Sequence, residues 1–197
     1  MRVSPGVHAP SSFTQALVTA LPRVDGLHVV DAGCGAGSLT VALLRLGAMH
    51  VSASDIVPAA LADTLANARR HAEPDRVTTL LAPWDGLGDV NADLLVANPP
   101  QCPRAVWEQL AAEERAAGAG GEDGLEALAA ILAATRVARV ITSISTLASG
   151  DLAPLAERYG FARARVLADE PVAHDAVWER AGSLENARVR VWELERT

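Results

Sequence analysis

The chain has 197 residues, half of them hydrophobic, which suits one ordinary domain with a real core. Its net charge is −7 and every basic residue is arginine, so it lacks the electrostatic footprint of a nucleic-acid binder, whose affinity rests on phosphate neutralisation. No apolar run approaches the roughly 20 residues of a membrane span. The start Met1-Arg2-Val3-Ser4-Pro5-Gly6 lacks the apolar core of a signal peptide. Cys34 and Cys102 alone make neither a disulfide framework nor a zinc pattern. The expectation is one domain over 1–197, soluble and cytoplasmic, with no metal and no membrane contact.

The first strand signal is 28–32, an apolar run ending at Asp31. It feeds the loop Gly33-Cys34-Gly35-Ala36-Gly37, after which Leu39, Val41, Ala42, Leu43 and Leu46 have helical spacing over 37–46. Residues 51–55 alternate as a strand, and Pro58 opens a helix through His71, where its missing N–H costs little. Further strands are expected at 76–81, 94–97 and 137–142, with a helix over 124–135 before the last. Strands alternating with helices imply a doubly wound, mostly parallel α/β sheet. Residues 161–167 and 187–194 alternate apolar and polar with little helix between them, reading as an antiparallel pair at one edge. The stretch 170–185 reads as a loop with room for a short helix. Residues 118–124, five of them glycine or alanine, read as the most flexible internal segment.

In such sheets, ligands bind beyond the carboxyl ends of strands at the switch point. Asp31, Gly33, Gly35, Asp55 and Asn98 all fall there. A dinucleotide fingerprint needs glycine where this chain has Ser38, and Asp31 would repel a pyrophosphate. The same carboxylate suits the cationic amino group of S-adenosylmethionine (SAM). The two oxygens of Asp55 can take both ribose hydroxyls of either cofactor. Trp84 can cover one face of adenine.

Asn98-Pro99-Pro100-Gln101 ends the apolar run before it. Proline fixes its own φ and holds the preceding residue extended. The side-chain carbonyl of Asn98 and the backbone carbonyl of Pro99 can then converge on a planar nitrogen carrying hydrogens. Hydrogen bonds from that nitrogen would orient a poor nucleophile and favour the charge developing on it. Cys102 can line the acceptor pocket. The bland alternatives are a turn-capping asparagine, a rim tryptophan and a surface thiol.

With these residues, the chain resembles the class I SAM-dependent methyltransferases over nearly its whole length. The run from Asp31 to Gly37 is similar to their SAM loop and Asp55 to their ribose acid. Asn98-Pro99-Pro100 resembles the corner of amino-group methyltransferases, including the release-factor type of protein glutamine N5-methyltransferase and N6-adenine enzymes. Two segments favour the protein-methylating branch. The run from Val7 to Thr14 resembles the segment that closes over SAM, within an N-terminal stretch of 1–22. Gly120-Gly121-Glu122-Asp123-Gly124 resembles a glycine-rich segment that follows the corner.

The resemblance implies a seven-stranded sheet with an antiparallel edge strand. It implies cofactor contacts from Thr14, Asp31, Gly33, Gly35, Asp55, Ile56, Pro83, Trp84 and Asn98, with catalysis at Asn98 and Pro99. Pro100, Gln101 and Cys102 would meet a protein or small-molecule amine or amide. Three departures stand out. Gln101 replaces the family's aromatic, Ala82 replaces its adenine-binding acid, and the expectation is a chain with no room for an N-terminal helical recognition domain. The compact size resembles relatives that depend on a small partner subunit. The competing expectations are a SAM-binding scaffold without catalysis and a nucleic-acid adenine N6-methyltransferase.

Overall fold

The computed structural model describes residues 1–110, 115, 118–171 and 188–196. The elements run α1 (Ser12–Ala20), β1 (His28–Ala32), α2 (Ser38–Arg45), β2 (His50–Asp55), α3 (Pro58–His71), β3 (Val77–Leu81), β4 (Leu94–Ala97) and α4 (Arg104–Trp107). They continue with α5 (Glu126–Ala134), β5 (Arg139–Ser145), α6 (Leu152–Arg158), β6 (Arg163–Pro171) and β7 (Arg188–Glu195). Of the stretch expected as a loop over 170–185, Glu170 and Pro171 instead end strand β6, paired with Val189 and Arg188, and the rest lies outside the described residues.

The described strands form one seven-stranded sheet in the order β3-β2-β1-β4-β5-β7-β6. All pairs from β3 to β5 are parallel, and β7 is antiparallel to both β5 and β6. The two late strands therefore make the expected antiparallel pair at one edge. The reversed strand is β7, one place in from the rim. The order reverses between β1 and β4, which pair directly with Asp31 opposite Val96 and Ala32 opposite Ala97. That pairing brings the end of the glycine-loop strand beside the end of the Asn-Pro-Pro strand.

The central strands are buried on both faces, so they read as continuous apolar runs. Successive side chains still alternate between two layers. Val29, Leu94, Val96 and Ile141 pack with Leu17, Leu39 and Leu43 from α1 and α2. Val30, Leu95, Ala97 and Val140 pack with Leu128, Ile131 and Leu132 of α5. Each fully buried leucine contributes about 1.5–3 kcal/mol of transfer free energy.

Element ends shift where local hydrogen bonds compete. Residues Pro74–Arg76 form a 3-10 turn, so β3 starts at Val77. The α5 helix begins after a turn in which Leu125 N–H donates to Asp123 Oδ1 at 2.9 Å. The Thr135 hydroxyl accepts from Val137 N–H at 3.1 Å, which holds Val137 out of β5. Strand β5 then extends to Ser145, and that extension later matters to the site.

Candidate active site

The glycine loop is fastened from two sides. Gly33 and Cys34 N–H both donate to the Ser54 carbonyl of β2, at 2.9 and 2.8 Å. On the other side α3 presents polar groups: Thr64 Oγ1 donates to Gly35 O at 3.1 Å and Asn67 Nδ2 to Ala36 O at 2.8 Å. Gly33 has φ +78°, and a Cβ there would come within 2.7 Å of Cη2 of Trp84. The indole thus sits directly on the loop, where only glycine leaves room.

Asp55, ending β2, accepts from Gly35 N–H through Oδ2 and from Val57 N–H through Oδ1, both at 2.9 Å. Each carboxylate oxygen keeps a second lone pair for a ligand hydroxyl. Beside it Ile56 is 68% exposed, an apolar side chain standing at the rim of a cavity.

The same α3 face holds the N-terminal segment. Asp63, fully buried, accepts from Ser4 N–H and Ser4 Oγ at 2.6 and 2.9 Å and pairs with Arg2 Nε at 2.8 Å. Asn67 accepts from Arg2 N–H at 2.6 Å and donates to Arg2 O at 2.8 Å. Residues Val7 to Thr14 consequently run along the cavity, with α1 started by a reciprocal Ser11–Thr14 cap.

Asn98 follows β4. Its Nδ2 donates to Thr14 Oγ1 at 3.2 Å. Its Oδ1 accepts from Ser143 Oγ at 2.8 Å and from Gln101 Nε2 at 3.4 Å. The side-chain carbonyl expected to face an acceptor nitrogen is therefore engaged by β5 and Gln101. Gln101 itself is buried rather than displayed: its Nε2 donates to Ser143 O at 3.3 Å and its Oε1 accepts from Ser145 N–H.

The 118–124 segment, expected to be the most flexible, is pinned to this corner. Gly120 N–H donates to Cys102 O at 2.7 Å and Arg104 N–H to Gly121 O at 2.8 Å. A Cβ at Gly120 would lie 2.6 Å from the Cα of Gln101, so glycine permits the approach.

One cavity of about 360 Å³ joins these parts. Thr14, Gly33, Gly35, Asp55, Ile56, Trp84, Asn98, Pro99, Pro100, Gln101 and Cys102 all line it, as sequence reasoning expected them to share a site. Two expected residues do not line it. Pro83 is exposed and opens the turn Trp84–Leu87, its carbonyl taken by Gly86 N–H at 3.1 Å. Asp31 is fully buried and accepts from Thr40 Oγ1 at 2.6 Å. His8, within the expected Val7 to Thr14 segment, lines the cavity, and Trp107 lines it without having been expected there. The Trp107 indole N–H is buried with no hydrogen-bond partner among the described residues. The available signal was Trp107 as the first aromatic after a corner that lacks one.

Burial drives the Asp31 carboxyl up to about 7, against the opposing hydrogen bond from Thr40. Burial also pushes the Cys34 thiol well above its ordinary range and Cys102 up to about 11, which leaves neither a ready nucleophile. Among the described residues no cluster of three or more His, Cys, Asp or Glu could hold a metal ion, and no helix is long and apolar enough to cross a membrane.

The profile of the ribosomal protein L11 methyltransferase (PrmA) family matches residues 8–99, from the cavity-lining N-terminal segment to the first proline of the corner. The release factor glutamine methyltransferase of Moorella thermoacetica is 40% identical over 137 residues, 63% of this chain and 47% of that protein. Over the matched residues the chain is similar to SAM-dependent protein methyltransferases. The ribosomal protein L11 methyltransferase of Chromohalobacter salexigens is 38% identical over 93 residues, 47% of this chain and 30% of that protein. The chain thus spans less than half the length of either relative.

Among solved methyltransferase structures, the E. cuniculi Mtq2–Trm112 complex, described as responsible for methylating the eRF1 termination factor, matches with a TM-score of 0.65. Identity is 22%, over 98% of this chain and 99% of that one. The L11 methylase of Lactobacillus delbrueckii matches at 0.64, with 17% identity over 99% of this chain and 85% of that one. These likenesses establish the class I methyltransferase fold.

The family's cofactor fits what is present. Asp31 Oδ1 is a buried carboxylate oxygen with no donor among the described residues, although Asp31 itself does not line the cavity. The cavity also supplies the ribose-type acceptors of Asp55 and apolar cover from Ile56 and Trp84.

Proposed function

We propose that this chain transfers a methyl group from SAM to a nitrogen of a protein acceptor at the Asn98–Pro99 corner. One observation carries the reading: the glycine loop, Asp55 and Asn98-Pro99-Pro100 open into a single cavity. Bound there, SAM supplies an electrophilic methyl on a sulfonium. Asp55 would hold the ribose hydroxyls, and Ile56 and Trp84 the adenine faces. Thr14 and the Val7 to Thr14 segment would close the cofactor side from water. Gly33 and Gly35 allow close backbone approach, and Asp31 offers charge to the amino group.

The corner's work is positioning and electrostatics, worth about 7–11 kcal/mol where geometry is favourable. Pro100, Gln101 and Cys102 border the acceptor side. No base of raised strength is required, because the acceptor's proton becomes acidic only as the methyl arrives. A protein acceptor is supported by the activities for which both relatives are named. A small partner subunit is supported by the two-protein complex among the structural neighbours, and a cytoplasmic setting by those relatives' translation-related names. The single-domain arrangement belongs to the same proposal.

A SAM-binding scaffold is the second reading, favoured by the engagement of Asn98 Oδ1 by Ser143 and Gln101. The deciding experiment incubates the protein, and Asn98→Ala beside it, with methyl-labelled SAM and fractionated host lysate. Asn98-dependent label in a protein band supports the reading. Asn98-dependent label confined to small molecules replaces the protein acceptor with a metabolite. Tight SAM binding without any transfer supports the scaffold.

A further inference from the structure

The Gln101 amide has only one orientation open to it. Ser145 N–H can only donate, so the group it meets must be the Gln101 carbonyl. Ser143 C=O can only accept, so it meets the Gln101 amino group. That amino group also faces Asn98, which must answer with its own carbonyl oxygen. Ser143 Oγ and Thr14 Oγ1 are hydroxyls and would serve either orientation of Asn98. Gln101 is the group that breaks the tie.

The backbone explains why a side-chain amide belongs there. Strands β4 and β5 pair with Ala97 opposite Thr142, and extending that register puts Pro99 opposite Ile144, between Ser143 and Ser145. Proline has no N–H to give the Ser143 carbonyl. The Gln101 side chain supplies both ladder bonds, and Ser145 N–H then makes no demand on the Pro99 carbonyl.

From this we infer that Gln101 is a positioning residue: it locks the Asn98 carboxamide with its carbonyl towards β5, so Asn98 meets the acceptor with an N–H. With one Asn98 hydrogen on Thr14, the second is the one left for a ligand in the cavity. The acceptor is then gripped through an oxygen at Asn98 and through its N–H at the Pro99 carbonyl. An aromatic at position 101 would leave the amide free to present its oxygen instead. This inference rests on the methyl-transfer reading for its substrate consequence, and not for the amide orientation itself.

The test is side-chain amide NMR on the full chain, with SAM affinity and thermal melting measured on the same samples. In the parent protein the Asn98 amide hydrogens should show cross-relaxation to the Thr14 methyl and not to the Ser143 methylene. Gln101→Glu keeps the length and offers Asn98 an oxygen, so the contacts should move from Thr14 to Ser143. If Gln101→Glu folds and binds SAM but keeps the parent contacts, the inference is overturned. Should Gln101→Glu not fold, Gln101→Met preserves the volume without either polar group. It should show contacts to both neighbours, and contacts to Thr14 alone would overturn the inference. Failure of the parent protein to transfer label touches the methyl-transfer reading and leaves these contacts as they are.

Discussion

Asn98 Nδ2 donates to Thr14 Oγ1 at 3.2 Å, joining the corner to the first helix across 84 positions of sequence. Thr14 Oγ1 also accepts from Ser11 N–H at 3.3 Å in the helix cap. Thr14→Val removes both bonds while keeping the shape. It should lower stability by about 1 kcal/mol, the usual net worth of a lost hydrogen bond, while the Thr14 N–H bond to the Ser11 cap remains. Transfer should fall as well, and the loss in a Thr14→Val, Asn98→Ala pair should be less than additive, because the two share one bond. Urea melts and label transfer on the four proteins of the cycle measure both.

Gly33→Ala should destabilise the loop through two separate effects. The left-handed backbone costs an alanine roughly 1–2 kcal/mol, and the new methyl meets Trp84 at 2.7 Å. Trp84→Ala in the same chain should relieve the second and leave the first, so rescue is partial. Thermal melts of the single and double variants distinguish partial rescue from full rescue, which would mean the backbone carries no strain.

Asp31 makes stability depend on pH in the unusual direction for a carboxylate. Its folded pKa is raised to about 7, so between about pH 4 and 7 the native state holds a proton that the unfolded chain has released. Stability of the cofactor-free protein should fall as pH rises through that window and level off above it, and Asp31→Asn should flatten the trend. A cation placed beside Asp31 Oδ1 would drive the proton off. SAM affinity should therefore rise with pH through about 7, with proton release visible by calorimetry in buffers of different ionisation heat. A pH-independent affinity would remove Asp31 from the cofactor's amino group.

Glu193 of β7, 3% exposed, lies between two arginines. It meets Arg139 Nη2 at 2.6 Å and also pairs with Arg165. Burial pushes its pKa up, but the Arg165 and Arg139 hydrogen bonds outweigh this and hold it below the ordinary range. Its contribution is present above the unfolded carboxyl pKa and should be lost as pH falls through the lowered folded value. Arg139 is 31% exposed and Arg165 70%, so Arg139→Ala should destabilise more than Arg165→Ala. Equal losses in denaturant melts would contradict that ranking.

Periodicity and punctuation carried most of the architecture. The strands around Val29 and Leu95 are apolar throughout because both faces are covered. Pro58 marked the start of α3 because the first turn needs no N–H from it. Much of the cavity's lining was legible too: Gly33, Asp55 and Asn98 sit at strand ends, and a parallel sheet gathers those ends on one side, but Asp31 and Pro83, expected with them, do not line it. Trp107 was missed because a helix as short as α4 has no pattern to announce which way a side chain faces.

Sequence by itself determined the doubly wound sheet, the loop that only glycine can make and the composition of the corner, since each follows from local sterics and hydrophobic period. Tertiary structure decided how those groups are oriented. Asp31 drops below the cavity because Thr40 of α2 takes one of its oxygens. The Asn98 carbonyl turns away from the cavity because β5 runs to Ser145 and supplies a backbone N–H there. An amide has two chemically different ends with nearly the same shape. Which end faces a ligand is set by donors and acceptors dozens of residues away, and only folding brings those together.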